Sequence, residues 1–334
     1  MKIARTMLYI KATTYKKLTE DPYKWACGMS MRIYNDNRMM LANFKHRERI
    51  IQGFVNKIRD KRIDPDYIIG TMTSGVAWAA AVAKALEREL LVYRNGKYYV
   101  FGVDLFNKYY HIEDFKNSKF DVIITNTNSI PYGIQYADKL KKGFAYVRSQ
   151  KDHGKKLPVE GILKPGMKFV FLYSDENHED IENSINLLQK EFGLEYVGKL
   201  HAWTNHKEIS SANLFGLVAV VIEDLFSTGG SSCYEVYMAR KAGMVCNYCF
   251  SIFSYGFKCL EKQFTGEINI SNKEVQLDKS CDIDSLLPFS ILMGEIKKLK
   301  FYPEETIQAM QEEIDGFDKN YEEHLQLKDE AERC

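Results

Sequence analysis

The sequence predicts an α/β fold built on a parallel sheet with helices on both faces. Three observations carry that expectation. Short apolar runs at Ile68–Ile69, Val122–Thr125, Phe169–Tyr173 and Leu217–Ile222 read as buried strands, mostly followed by helix-like segments. The chain also repeats itself. Asp66–Arg94 lines up without a gap against Phe120–Arg148, and Val170–Thr204 against Val220–Ser254, with Gly193 falling on Gly243. Finally, Val220–Ser232 runs from an apolar strand end through Glu223-Asp224 into a Ser-Thr-Gly-Gly-Ser-Ser turn, and Tyr234–Ala242 continues as a helix that stops at Gly243.

Taken in order, Met1–Ala12 and Phe44–Asp60 read as helices, and the four repeat units supply strand, helix and strand in turn. The units follow one another as A1 (66–94), A2 (120–148), B1 (170–204) and B2 (220–254), so the duplication is nested rather than head to tail. Val245–Phe253 reads as a strand in which simple alternation would put Cys246 and Cys249 on opposite faces. Leu299–Leu327 is acidic with helical periodicity, a surface helix or helical hairpin whose charges form a solvated face. The domain reading is one core from 1–94 with 205–334, a linker at 95–118, and an inserted degenerate core at 119–204.

Composition narrows the function classes. A formal net charge of +1 over 334 residues gives no electrostatic reason to expect nucleic acid or an anionic membrane as partner. No apolar run approaches the roughly 20 residues needed to span a bilayer. The seven scattered cysteines lack framework spacing, as expected of reduced thiols in the cytoplasm.

The segment around Glu223 carries the chemistry. A Gly/Ser/Thr loop between strand and helix presents N–H groups, hydroxyls and a positive helix end to a phosphate. Carboxylates beside it would repel a bare phosphate, but they suit ribose hydroxyls or a hydroxyl-bound Mg²⁺ on the same ligand. A phosphorylated ribose satisfies both halves. The repeats divide the other features between them. A1 keeps Gly70-Thr-Met-Thr-Ser-Gly75, against Ile124 and Ser129 in A2; B2 keeps the acidic pair, against Tyr173-Ser174 in B1. A2 alone runs on into Arg148-Ser-Gln-Lys-Asp-His-Gly154.

These segments resemble, in order, those of the orotate phosphoribosyltransferases within the type I phosphoribosyltransferase fold. Tyr23–Arg38 resembles the family's N-terminal hood segment, W-[AS]-S-G-x-x-S-P-x-Y-x-D-N-R. Gly70–Gly75 resembles its pyrophosphate loop, and Tyr146-Val-Arg148 with Lys151-Asp-His-Gly154 its mobile catalytic loop. Glu223–Ser231 is similar to its phosphoribosyl-pyrophosphate (PRPP) motif, and Phe253-Ser-Tyr-Gly256 to the F-T-Y-G of one branch. Three departures stand out: the catalytic loop is one residue short, Ser30-Met31-Arg32 replaces Lys-Ser-Pro, and Tyr255 stands where several members have Arg.

The resemblance implies transfer of phosphoribosyl from PRPP to orotate with Mg²⁺ as cofactor. Arg148, Lys151 and His153 would close over PRPP. Glu223 and Asp224 would hold the ribose and its Mg²⁺. Thr228, Gly229, Gly230 and Ser231 would cradle the 5′-phosphate, Ser227 and Tyr34 would face the base, and Thr71, Thr73, Ser74 and Gly75 would receive pyrophosphate. A phosphoribosyltransferase for another nucleobase and a non-catalytic PRPP-binding regulator are the alternatives. The inserted core suggests a monomeric pseudo-dimer, in which one chain imitates a family dimer, against an ordinary homodimer.

Overall fold

Two sheets, of seven and five strands, organise the chain. The structure is a computed structural model and describes residues 2–102, 119–148, 158–174, 177–202, 206–270, 273 and 275–333. The hood comprises α1 (Lys2–Tyr9), β1 (Thr13–Tyr15), β2 (Tyr23–Lys24), β3 (Ser30–Met31) and β4 (Ile33–Asn35), and leads into α2 (Phe44–Asp60). There follow β5 (Tyr67–Gly70), α3 (Ser74–Ala85), β6 (Glu89–Arg94) and β7 (Lys97–Phe101). The second core holds β8 (Val122–Asn126), α4 (Ile130–Lys139), β9 (Gly143–Val147), β10 (Val159–Glu160), β11 (Lys168–Tyr173), α5 (His178–Phe192) and β12 (Glu195–His201). The chain then returns through β13 (Lys207–Ile209), β14 (Val218–Phe226), α6 (Gly230–Lys241), β15 (Val245–Ser254), α7 (Lys258–Thr265) and β16 (Asp282–Pro288). It ends with α8 (Phe289–Leu299), α9 (Glu304–Asp315) and α10 (Phe317–Arg333).

The larger sheet runs β13-β7-β6-β5-β14-β15-β16 and the smaller β10-β9-β8-β11-β12. Five consecutive strands of the first, β7-β6-β5-β14-β15, correspond in order to the whole of the second. The correspondence reaches single bonds. The β14–β15 ladder shifts register between Ala219 and Val220, and the β11–β12 ladder shifts at the aligned position, between Phe169 and Val170. Asp66 Oδ2 accepts from Val218 N at 2.8 Å, while Asp121 Oδ2 accepts from Lys168 N at 2.8 Å. Gly216 N donates to Gly243 O and Gly166 N to Gly193 O, closing the same turn twice. Such agreement is what an internal duplication would produce, since unrelated α/β units share topology but not bulge position.

One alignment detail shifts. Ala219 pairs with Tyr67 and Phe169 with Val122, so Gly70 corresponds to Thr125 rather than Ile124. The slip of one residue is absorbed between β8 and β9.

Alternation sorts each sheet's side chains between two layers. Ile68, Val220 and Ile222 of the larger sheet, and Ile123, Val170 and Leu172 of the smaller, face one shared apolar core. α3 and α4 lie between the sheets and fill it, with Trp78 and Tyr132 among its largest buried side chains. The outer faces form separate cores, one under α6 and one under α5.

Other expectations change. Lys97–Phe101, read as part of a linker, is a strand lying between β6 and the edge strand β13, joined to β6 by a two-residue Asn95-Gly96 turn with both φ positive; residues 103–118 lie outside the described residues. Cys246 and Cys249 share one core instead of facing opposite ways, because the β15 bulge falls between them. β14 does not stop before the acidic pair but runs through it to Phe226. α9 and α10 are more than surface: Phe317 stacks on Phe257 with centroids 3.7 Å apart, and Glu313 accepts from Arg32 N and Ile33 N of the hood.

Candidate functional site

A cleft of about 450 Å³ opens at the C-terminal ends of β5 and β14. Ligands of open α/β sheets bind at the carboxyl ends of the strands. Tyr34, Ser74, Arg148, Glu223, Asp224, Ser227, Thr228, Gly229, Gly230 and Ser231 all line this cleft, so the sequence-derived residues converge from four separate segments. Lys151 and His153 lie outside the described residues. Thr71 is buried beneath the cleft, and Thr71, Thr73 and Gly75 are not part of its wall.

The acidic pair sits within the C-terminal part of β14. Glu223 is 5% exposed and Asp224 half-buried, so of the two only Asp224 has appreciable access to solvent. Burial pushes the Glu223 carboxyl well above the usual carboxylate range, and the neighbouring Asp224 charge adds to it. Glu223 Oε1 accepts from Asp224 N at 2.8 Å, and Asn37 Nδ2 ties the Asp224 carbonyl to the hood.

The loop after the pair enters α6 at Gly230, four residues before the expected start, which sets Gly229 at the helix N-cap with φ +82°. A Cβ there would lie 2.4 Å from Leu260 Cδ1, so backbone conformation and packing both call for glycine. The N–H groups at the start of α6 are the orphan donors of a helix N-terminus, suited to an anion. On the facing loop, a Cβ on Gly75 would stand 2.2 Å from Thr71 Oγ1 and 2.6 Å from the Ile222 carbonyl. That absence of a side chain lets α3 begin against β14.

Sequence reasoning missed part of the wall. Arg38 lines the cleft; its Nε donates to Asp36 at 2.8 Å and its Nη2 to the Tyr34 hydroxyl at 3.1 Å. Burial would lower its pKa, but Asp36 and Glu160 outweigh that and hold the guanidinium charged. Trp25 and Tyr255 form an aromatic flank, 4.7 Å between centroids, and the Tyr255 hydroxyl accepts from Asn35 N. All three lie in segments already singled out; only their direction was missing. Glu235 of α6 also borders the cleft, and burial pushes it up to about 8.

Among the described residues no three His, Cys, Asp or Glu side chains converge as a metal cage. Two adjacent carboxylates beside a Ser/Thr/Gly loop instead fit a hard cation shared with a ligand's own oxygens. No described helix is long and apolar enough to cross a membrane.

No family model matches the chain. It is similar to the orotate phosphoribosyltransferase of Streptococcus gordonii, 27% identical over 263 residues, covering 78% of this chain and 75% of that protein. The Streptococcus pyogenes enzyme of the same name is 30% identical over 171 residues, 51% of this chain and 55% of the relative. Among solved structures, Leishmania donovani UMP synthase overlays with TM-score 0.45 at 11% identity, covering 96% of this chain and 42% of that one. Orotate phosphoribosyltransferase from Aeropyrum pernix overlays with TM-score 0.44 at 11% identity, covering 89% and 99%. By its sequence relatives the chain is a relative of the orotate phosphoribosyltransferases, and its motifs follow one another in order on a mixed α/β frame of mainly parallel sheets.

Proposed function

We propose that the protein transfers the phosphoribosyl group of PRPP to orotate, giving orotidine 5′-monophosphate and pyrophosphate. One observation carries this reading: the acidic pair, the glycine loop and the hood's Tyr34 and Arg38 line a single cleft. A ligand with a phosphorylated ribose between a polyphosphate and a planar anion matches that order of chemistries.

In this reading the N–H groups of Gly230 and Ser231, with the Thr228 hydroxyl, bind the 5′-phosphate at the α6 N-terminus. Asp224 and Glu223 accept from the ribose hydroxyls and orient C1 toward the base. Ser74, the polar residue of the Thr71–Gly75 loop that lines the cleft, receives pyrophosphate. Mg²⁺ arriving with PRPP supplies charge neutralisation on the leaving group. Ser227 and Tyr34 face the base between Trp25, Tyr255 and Arg38. Arg148 adds positive charge where the pyrophosphate develops its own, and by the family resemblance Lys151 and His153 join it. Excluding water protects the cationic C1 centre from hydrolysis.

The division into a core of 1–94 with 205–334 and an inserted core at 119–204 is part of the proposal. Support comes from Arg148, which belongs to the smaller sheet's segment yet lines the cleft beside Glu223 of the same chain. One chain then acts as its own partner, with one site per chain, and sedimentation of the active species decides between this and a homodimer. The free cysteines among the described residues suit a cytoplasmic enzyme.

The test mixes protein, Mg²⁺ and PRPP with each candidate base and follows pyrophosphate release. Orotate-dependent release supports the reading. Release with another base and not with orotate moves the protein to a different phosphoribosyltransferase, a reading favoured by Tyr255 and the altered hood.

A further inference from the structure

Glu160 does not touch the cleft, yet two of the cleft's cationic side chains hang from it. It is 2% exposed, the last residue of β10, and pairs in register with Tyr146 of β9. Its Oε1 accepts from Arg38 Nη1 of the hood and from Arg148 Nε. Those arginines come from different cores and both line the cleft. Arg38 in turn holds the Tyr34 hydroxyl, so one buried carboxylate fixes the position of three wall residues. Burial lifts Glu160 above the usual carboxylate value, against the pull of Arg38 and Arg148.

The duplication supplies an internal comparison. Arg94 occupies the place of Arg148, and Tyr99, paired with Val92, occupies the place of Glu160. There the guanidinium of Arg94 lies over the Tyr99 ring at 5.2 Å and donates to Asn128 Oδ1 at 2.6 Å. The copy that reaches the cleft has a carboxylate at this position, and the copy that does not has an aromatic ring. Simple packing does not account for the difference, because a buried charge pair is often no more stabilising than apolar side chains of the same volume.

We infer that Glu160 is a positioning residue of the transfer reaction, setting Arg148 on the leaving-group side and Arg38 on the base side through a single carboxylate. The inference rests on the function proposed above. It makes the two sides of the cleft interdependent: displacing either arginine loosens the anchor of the other.

The test uses the full chain. E160Q keeps the shape and an acceptor oxygen but loses the charge; E160D keeps the charge. With Arg38→Lys, Arg148→Lys and their double variant, each is compared for PRPP affinity by calorimetry, for kcat and KM with orotate, and for melting temperature. Misplacing a catalytic group by an ångström costs on the order of 10²-fold in rate. E160Q is therefore expected to lose about that much in kcat while still melting cooperatively. E160D should recover part of the loss, and the two lysine variants should be non-additive in the parent but additive in E160Q. Parent-like kcat in E160Q, or additive arginine effects in the parent, overturns the inference. A parent inactive with orotate overturns the substrate reading instead. The same cycle read by PRPP affinity then decides the positioning role, with additivity sinking it.

Discussion

Ser74 donates to Glu223 Oε1 at 3.4 Å, so the loop after β5 and the acidic pair on β14 meet across the floor of the cleft. The two halves of the proposed ligand site are thereby held at a fixed separation before any ligand enters. Binding energy is then available for the ligand instead of being consumed in ordering the loops.

The acidic pair tests that arrangement first. The double variant E223Q/D224N should melt no lower than the parent, because it removes a carboxyl whose ionisation burial already disfavours. A hydrogen bond to a charged group contributes about 1.5–3 kcal/mol, so loss of the Asp224 charge alone should weaken PRPP binding by roughly tenfold or more. Calorimetry with Mg²⁺ present gives the number, and undiminished affinity would mean that the ribose sits elsewhere.

Gly75 offers a stability prediction. A Cβ there would clash with both Thr71 Oγ1 and the Ile222 carbonyl of β14. Gly75→Ala should cost about 1–3 kcal/mol by overpacking, read from urea unfolding. Gly294, where a Cβ meets nothing within 4 Å in α8, is the control. Alanine there should be neutral or stabilising, by up to about 1 kcal/mol.

Glu235 predicts a pH dependence. Its carboxyl is raised from 4.5 to about 8 in the folded chain by burial. The native state therefore holds a proton that the unfolded chain has released, and stability falls as pH rises from near 4.5 through about 8. E235Q lacks that penalty. The melting temperature of E235Q minus that of the parent should grow between pH 5 and 8 and then level off; a difference independent of pH would show that Glu235 does not titrate in this window.

Both sheets bury side chains in one core, with Trp78 of α3 and Tyr132 of α4 inside it. Urea unfolding should accordingly be a single transition, with fluorescence and circular dichroism coincident. Separate hydrogen exchange of β8–β12 ahead of the larger sheet would show that the second core opens alone.

Much of this was legible in the sequence because local pattern and local structure agree. β5, β8, β11 and β14 lie where the apolar runs are, and α2 has the limits the sequence predicts. The phosphate-type loop was equally visible, since its glycines answer a backbone requirement that neighbouring residues reveal. Asn95-Gly96 was a readable hairpin signal that the linker reading passed over. The bulge after Cys246 was not readable, because register is decided by the partner strand β14. Glu160 was hidden for the same reason. A lone glutamate in a two-residue strand announces nothing until tertiary structure brings Arg38 and Arg148 to it.

The Tyr99–Glu160 difference has a consequence for how such a site can change. In a dimer of identical chains every substitution appears twice, once in each half, so a residue useful on one side must be tolerated on the other. The proposed arrangement, with both halves in one chain, would remove that constraint. Arg94 can rest on a ring while Arg148 is tethered to an acid, and a two-residue turn can close β6–β7 while eleven residues separate the paired ends of β9 and β10. On the proposed duplication, the chain keeps symmetry in the shared core and departs from it at the rim of the cleft.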